Sequence, residues 1–148
     1  MYDDQLEAVV AATGARVVTP EAIYAVDADV FAPCALGAVI NDETVARISA
    51  PIVAGAANNQ LATPRHGDVL HRRNVLYAPD YVINAGGVID VEHERLGYNP
   101  ARVKAHVERI GATLENLFER SRRTSTPTHV LADTMAREII ASAAKLAA

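Results

Sequence analysis

The sequence predicts an α/β fold: a partial doubly wound parallel sheet followed by carboxyl-terminal helices. Short, continuously apolar runs recur between helical pieces, as they do where a parallel sheet is covered on both faces. Three of these runs lead directly into small residues, asparagines and glycines: residues 33–37 (PCALG), 56–61 (AANNQL) and 78–89 (APDYVINAGGVI). Open parallel sheets bind ligands in the crevice beyond the carboxyl ends of their strands. Together the three segments describe a floor for a flat ligand.

Each element has its own local signal. Residues 5–13 are rich in alanine and valine with helical periodicity, and Gly14 stands where a glycine cap would end the helix. Residues 16–18 read as a first strand, near Val17, and residues 20–24 as a helical turn. A second strand near Val30 is stopped by Pro33. Asn41 is placed to cap a helix whose first turn carries Asp42 and Glu43, both favourable at the positive helix end. Third and fourth strands are expected near Ile52 and Leu76. From Asp80 onward the strand signals cease. Residues 101–122 place Val103, Val107, Ile110, Leu114, Leu117 and Phe118 on one face of a long helix. After Pro127 a second helix carries Val130, Leu131, Met135, Ile139, Ile140 and Leu146 on its apolar side.

Composition narrows the function. The 148 residues are half apolar and 22% charged with a net charge of −4, an ordinary balance for a chain that buries a core without disulfides or metals. With no basic cluster beyond residues 121–123 (SRR), nucleic acid is excluded as the main partner. The single cysteine, Cys34, precludes an internal disulfide and fits a reducing, cytoplasmic setting. No apolar run approaches the roughly 20 residues that span a bilayer, and residues 1–4 (MYDD) are acidic where a signal peptide would be basic. No membrane association is expected.

One part of a nucleotide-binding fold is missing from the pattern. Such a domain normally opens strand, glycine-rich turn, helix, and ends its second strand on an acidic residue for the ribose. Here the first element is a helix and no GxGxxG occurs anywhere. The simplest reading is that the chain begins just after the second strand of such a domain.

Taken together, FAPCALGAVIND, VAGAANNQLATPRHGD and LYAPDYVINAGGVIDV resemble the coenzyme domain of the leucine, phenylalanine, valine and glutamate dehydrogenases, most closely the leucine/phenylalanine/valine branch. The similarity runs from about Asp3 to the last helix, through PEAIYAV, LGYN and ADTMAREI. The resemblance implies a partial dinucleotide-binding, Rossmann-like domain over residues 1–100 and helices packing on it over residues 101–148. It also implies that the family's catalytic lysine and aspartate lie in an amino-terminal part with no counterpart here. The chain is similar to the carboxyl-terminal part of such an enzyme, or to a shortened relative of one.

Residue roles follow from the same resemblance. Asn84 matches the position that holds the nicotinamide carboxamide, for which an amide can both donate and accept; capping of the following turn is the structural alternative. Asn59, in preference to Asn58, aligns with the asparagine beside the nicotinamide and the substrate amine. Pro33, Cys34 and Ala35 floor the nicotinamide ribose through their backbone, and Cys34 is not read as a nucleophile because no base is apparent beside it. Val88 and Val91 match positions that touch the substrate side chain. Gly86 and Gly87 allow either a close ligand or close helix packing.

The histidines suggest no metal site. His66 and His71 are five apart, off the spacing that puts two ligands on one helix face. His93, between Glu92 and Glu94, reads as part of a solvated face, and residues 65–68 (RHGD) as a structured turn beside the cofactor.

The implied function is NAD- or NADP-dependent oxidative deamination of a branched-chain or aromatic L-amino acid to its 2-oxo acid. This chain alone is expected to be inactive, with its partners a missing catalytic part and a homo-oligomer. The alternative is a truncated, non-catalytic remnant that serves as an interaction or dimerising module.

Overall fold

A computed structural model describes residues 3–146. Helix α1 (Asp3–Thr13) ends as its sequence predicts: Gly14 turns left-handed at φ +69°, and its N–H donates to the Val10 carbonyl at 2.8 Å. No strand forms at Val17. Residues 14–18 have no regular structure, and Val17 is exposed with no strand alongside to pair with its backbone. The helical turn expected at residues 20–24 is a short 3₁₀ turn over Ile23–Ala25.

Three strands, β1 (Val30–Phe31), β2 (Ile52–Val53) and β3 (Leu76–Tyr77), form a parallel sheet in that order. Val30 lies beside Ile52 and Ile52 beside Leu76, with Phe31, Val53 and Tyr77 in the next row. Parallel neighbours need crossover connections. Between β2 and β3 the crossover is helix α2 (Pro64–Arg72), with Thr63 at its N-cap and Pro64 in its first turn.

Between β1 and β2 the expected helix is instead a run of turns. Asn41 does cap it: its Oδ1 accepts from the backbone N–H groups of Glu43 and Thr44 at 3.0 and 3.2 Å. The carbonyls of Val45 and Ile48 accept from the Arg73 guanidinium rather than from a following helical turn. The Arg73 side chain, directly after α2, thus takes the acceptors that helix propagation needs.

The hydrophobic core of the sheet buries Ile40, Ile48, Val53 and Leu70 beside Val75 and Tyr77. The single long helix predicted over residues 101–122 is divided into α5 (Pro100–Val107) and α6 (Arg109–Thr124), joined at Glu108. Helix α5 packs on α4 (Gly86–Arg95), whereas α6 packs on α3 (Asp80–Ile83) and α7 (Thr128–Leu146). One straight helix cannot serve both sets of partners. Leu117, Leu131 and Ala132 form the core of this helical layer. Its join to the sheet is a buried hydrogen bond, with Thr128 Oγ1 donating to the Tyr77 carbonyl at 2.7 Å. No described helix is long and apolar enough to cross a membrane.

Candidate functional site

The three segments picked out in the sequence meet at one edge of the sheet. Gly55 makes the first meeting possible. A Cβ there would lie 2.1 Å from the Pro33 carbonyl oxygen and 2.5 Å from its nitrogen, so only glycine lets the two loops touch. Ala57 N–H donates to the Pro33 carbonyl at 2.9 Å. Further along, Ala38 N–H donates to the Asn59 carbonyl at 2.7 Å, and a Cβ on Gly37 would come within 2.8 Å of the Asn58 carbonyl oxygen. Gln60, fully buried, closes the second loop on itself by donating to the carbonyls of Gly55 and Ala57 at 2.7 and 3.0 Å.

The tie to the third segment is Asp80, a residue that the sequence reading passes over. Its Oδ2 accepts the Asn59 backbone N–H at 2.8 Å and its Oδ1 accepts the Tyr77 hydroxyl at 2.9 Å. Burial, reinforced by the Asp80 charge, pushes the Tyr77 phenol well above its ordinary range. The signal was present in the sequence: an acid directly after Pro79, at the end of an apolar run, has to be paired if it is buried.

Asn84 sits at the carboxyl end of α3 and does not cap the turn after it. Its Nδ2 donates to Asn58 Oδ1 at 2.7 Å and to the Ala56 carbonyl at 3.3 Å. A carbonyl can only accept, so the Ala56 contact fixes the orientation of the amide. Both Nδ2 protons are engaged, and Oδ1 is left as the free acceptor. The donating half that the sequence reading gave this amide is committed to the neighbouring loop.

The other predicted residues fall into two groups. Pro33 is buried, while Cys34 and Ala35 are exposed at the end of β1. Asn59 takes a left-handed conformation at φ +53° that Asp80 holds through its backbone, leaving its side chain exposed. These join Asn58 and Asn84 on one continuous floor. Val88 and Val91 are not brought into it. Both stand on α4 with relative exposures of 76% and 64%. Nothing lies within 4 Å of a Cβ built on Gly86 or Gly87, so neither glycine is explained by close packing.

The histidine neighbourhoods differ from those expected. Residues 65–68 are the first turn of α2, not a separate turn. His66 is buried, and its Nδ1 accepts the Thr63 N–H at 3.0 Å. Its Nε2 therefore carries the proton and donates to Asp42 Oδ1 at 3.0 Å. That bond, aided by Arg65, holds the Asp42 carboxyl below its usual range. His93 is half-buried with its Nε2 3.2 Å from His106 Nδ1, packed edge to face, rather than solvated. His129 abuts Gly67, and burial lowers its pKa against the pull of Asp68, whose Oδ1 is 3.5 Å from Nε2. Among the described residues no three metal-ligating side chains converge.

Chemically, the floor offers the Asn84 acceptor, the Asn59 amide and the exposed edge at Cys34 and Ala35. A cleft of about 510 Å³ adjoins it, bordered by Asn59, Tyr77, Asp80 and His129. Such a surface can position a neutral, planar, amide-bearing ring. Asp80, its nearest acid, is committed to Asn59 and Tyr77.

Comparison with known proteins gives this geometry a context. The model of the Glutamate/Leucine/Phenylalanine/Valine dehydrogenase family matches residues 3–147. Leucine dehydrogenase of Geobacillus stearothermophilus is 51% identical over 127 residues, which is 86% of this chain and 35% of that enzyme. Phenylalanine dehydrogenase of Caldalkalibacillus thermarum is 45% identical over 131 residues, 88% of this chain and 35% of that enzyme. The crystal structure of L-tryptophan dehydrogenase from Nostoc punctiforme superposes with a TM-score of 0.90 at 41% identity, covering 94% of this chain and 42% of that one. The chain spans about a third of the length of the dehydrogenase sequences it matches.

Proposed function

The chain belongs to the glutamate/leucine/phenylalanine/valine dehydrogenase family, and on that premise we propose that it forms the nicotinamide-side floor of an NAD(P)-dependent L-amino-acid dehydrogenase. The reaction is the oxidative deamination of a branched-chain or aromatic amino acid in the cytoplasm. One observation carries the reading: three successive strand-end loops are locked together by Gly55, Asp80 and Asn84, with a neutral hydrogen-bonding face left open.

When bound, a nicotinamide coenzyme supplies hydride transfer, and the protein's part is orientation. The residues present fit such a ring. Asn84 Oδ1 would accept from the carboxamide N–H, the Pro33–Ala35 backbone would hold the ribose, and Asn59 would border the ring and the substrate amine. Val88 and Val91, already exposed, form part of the wall for the substrate side chain. In this reading residues 1–100 carry the coenzyme-facing layer and residues 101–148 the helices packed on it. By themselves the 148 residues are inactive, because none of them matches the family's catalytic lysine or aspartate.

A chimera tests the proposal. These residues replace the matching segment of the Geobacillus leucine dehydrogenase, and the folded product is assayed with leucine, valine and phenylalanine. Turnover that falls about tenfold or more in Asn84→Ala supports the reading. A folded chimera without turnover, or one indifferent to Asn84, overturns it.

A further inference from the structure

We propose that the open groove lined by α3, α4, α5, α6 and α7 is a binding site for a medium-chain alkyl carboxylate. The groove measures about 630 Å³, within the range of small-molecule sites. Most of its lining is apolar, including Val82, Ile89, Met135 and Ile139, and no aspartate or glutamate contributes to it. In a chain of net charge −4, an acid-free groove that also carries an arginine and a histidine is electrostatically matched to an anion.

The site has a polarity. Arg109 and His106 line it where α5 passes into α6, and Arg109 is exposed. Among the described residues the Arg109 guanidinium makes no ion pair or side-chain hydrogen bond. His106 has Nδ1 against His93 and keeps Nε2 for another partner. Eight residues along α6 from Arg109, roughly 12 Å at the rise of an α-helix, stands Leu117, 1% exposed, beside buried Ala132. The Arg109 end is open to solvent, and the floor at Leu117 and Ala132 is buried. A carboxylate head on Arg109 and His106 with an extended alkyl tail running toward Leu117 satisfies both ends. An ammonium head would meet the Arg109 guanidinium, and an α-amino acid would bring its own ammonium beside it. Ala85 also lines the groove, so a ligand there touches the residue adjoining Asn84.

Calorimetric titration of the chain with octanoate, octan-1-ol and octylammonium tests this without reference to dehydrogenase activity. Octanoate is expected to bind one to one with a sub-millimolar dissociation constant, at least about tenfold more tightly than octan-1-ol, the step set by a charge-assisted head-group contact. Octylammonium should bind more weakly than either. Arg109→Glu should reduce octanoate affinity by at least the same factor, leaving octan-1-ol unchanged. Ala136→Phe and Thr113→Phe, at exposed positions on the groove wall, should each abolish octanoate binding while circular dichroism stays native. Three results would each overturn the proposal: no saturable heat with millimolar octanoate, equal affinity for acid and alcohol, or octanoate binding that survives all three substitutions.

Discussion

The carboxylate of Asp80 holds the backbone N–H of Asn59 at 2.8 Å while its other oxygen takes the hydroxyl of Tyr77. One side chain at the end of β3 thereby fixes the left-handed turn that ends the β2 loop. Asn59 tolerates its positive φ better than most residues with a Cβ, and the charged hydrogen bond holds it there.

Replacement of Asp80 by asparagine, nearly its equal in shape, should therefore be destabilising. The amide presents an NH2 where the carboxylate presented an acceptor, so one of the two donors is orphaned. An unsatisfied buried donor costs about 1–3 kcal/mol. Urea unfolding should show a loss of that size for Asp80→Asn. An unchanged midpoint would mean that Asp80 does not hold the loop.

Tyr77 should limit stability in alkali. Its pKa is raised by burial and by Asp80, so the folded state favours the neutral phenol. Below the unfolded value near 10.0 the stabilisation is complete, and it is lost as pH rises above that value, because the unfolded chain ionises first. Thermal melts above about pH 10 should fall less steeply with pH in Tyr77→Phe than in the parent. Parallel slopes would contradict the argument.

Acid acts through a different residue. His129 is held below the ordinary 6.5 of an imidazole by burial, which prevails over the attraction of Asp68. The unfolded chain takes up this proton first as pH falls below 6.5, so stability is full above that value and drains away toward the lower folded pKa. Asp42, whose pKa is lowered from 3.8, loses its share only at still lower pH. The melting temperature should thus drop between about pH 7 and pH 5, and His129→Gln should flatten that drop. The same slope in both proteins would exclude His129 as its source.

How much of this could be read from the sequence depends on the range of the interaction. The strands at Val30, Ile52 and Leu76 and the α1 cap at Gly14 were legible because each depends on local apolar runs or local dihedrals. The strand proposed at Val17 had the same local signal, but a strand needs a neighbour, and none lies beside it. The helix expected after Asn41 failed for a long-range reason, since Arg73, far along the chain, takes its carbonyls. The asparagine-bearing loops were visible as strand ends, whereas the roles given to Asn59 and Asn84 rest on the resemblance. Asp80 and the His93–His106 pair were not, because their partners become visible only when β3 meets the β2 loop and α4 meets α5.

Two glycines should respond oppositely to alanine. At Gly55 a Cβ would collide with the Pro33 backbone, which no side-chain rotation relieves. Gly55→Ala should separate the first two loops and cost several kcal/mol, about the upper range of single substitutions. Gly111 lies inside α6 with nothing within 4 Å of its added Cβ. Gly111→Ala should stabilise by about 0.5–1 kcal/mol. Chemical denaturation of the pair gives both signs in one experiment, and equal midpoints would contradict the packing of Gly55 on Pro33.

The isolated chain should bind NAD weakly or not at all, even with the nicotinamide floor proposed for it. No glycine-rich turn occurs in the 148 residues, so the pyrophosphate lacks the helix end and backbone N–H groups that usually hold it. What is left is a small set of neutral hydrogen bonds, each worth about 0.5–1.5 kcal/mol net. The Asn84 amide adds one acceptor rather than a donor–acceptor pair, since its Nδ2 is occupied by Ala56 and Asn58. Against these stands the loss of translational and rotational freedom, about 4 kcal/mol or more. The balance predicts a dissociation constant in the millimolar range or weaker by calorimetry. In the chimera within the Geobacillus leucine dehydrogenase, binding should tighten and become sensitive to Asn84→Ala but not to Cys34→Ala. Micromolar NAD binding by the 148 residues alone would mean that the phosphates are held by part of this chain other than a glycine-rich turn.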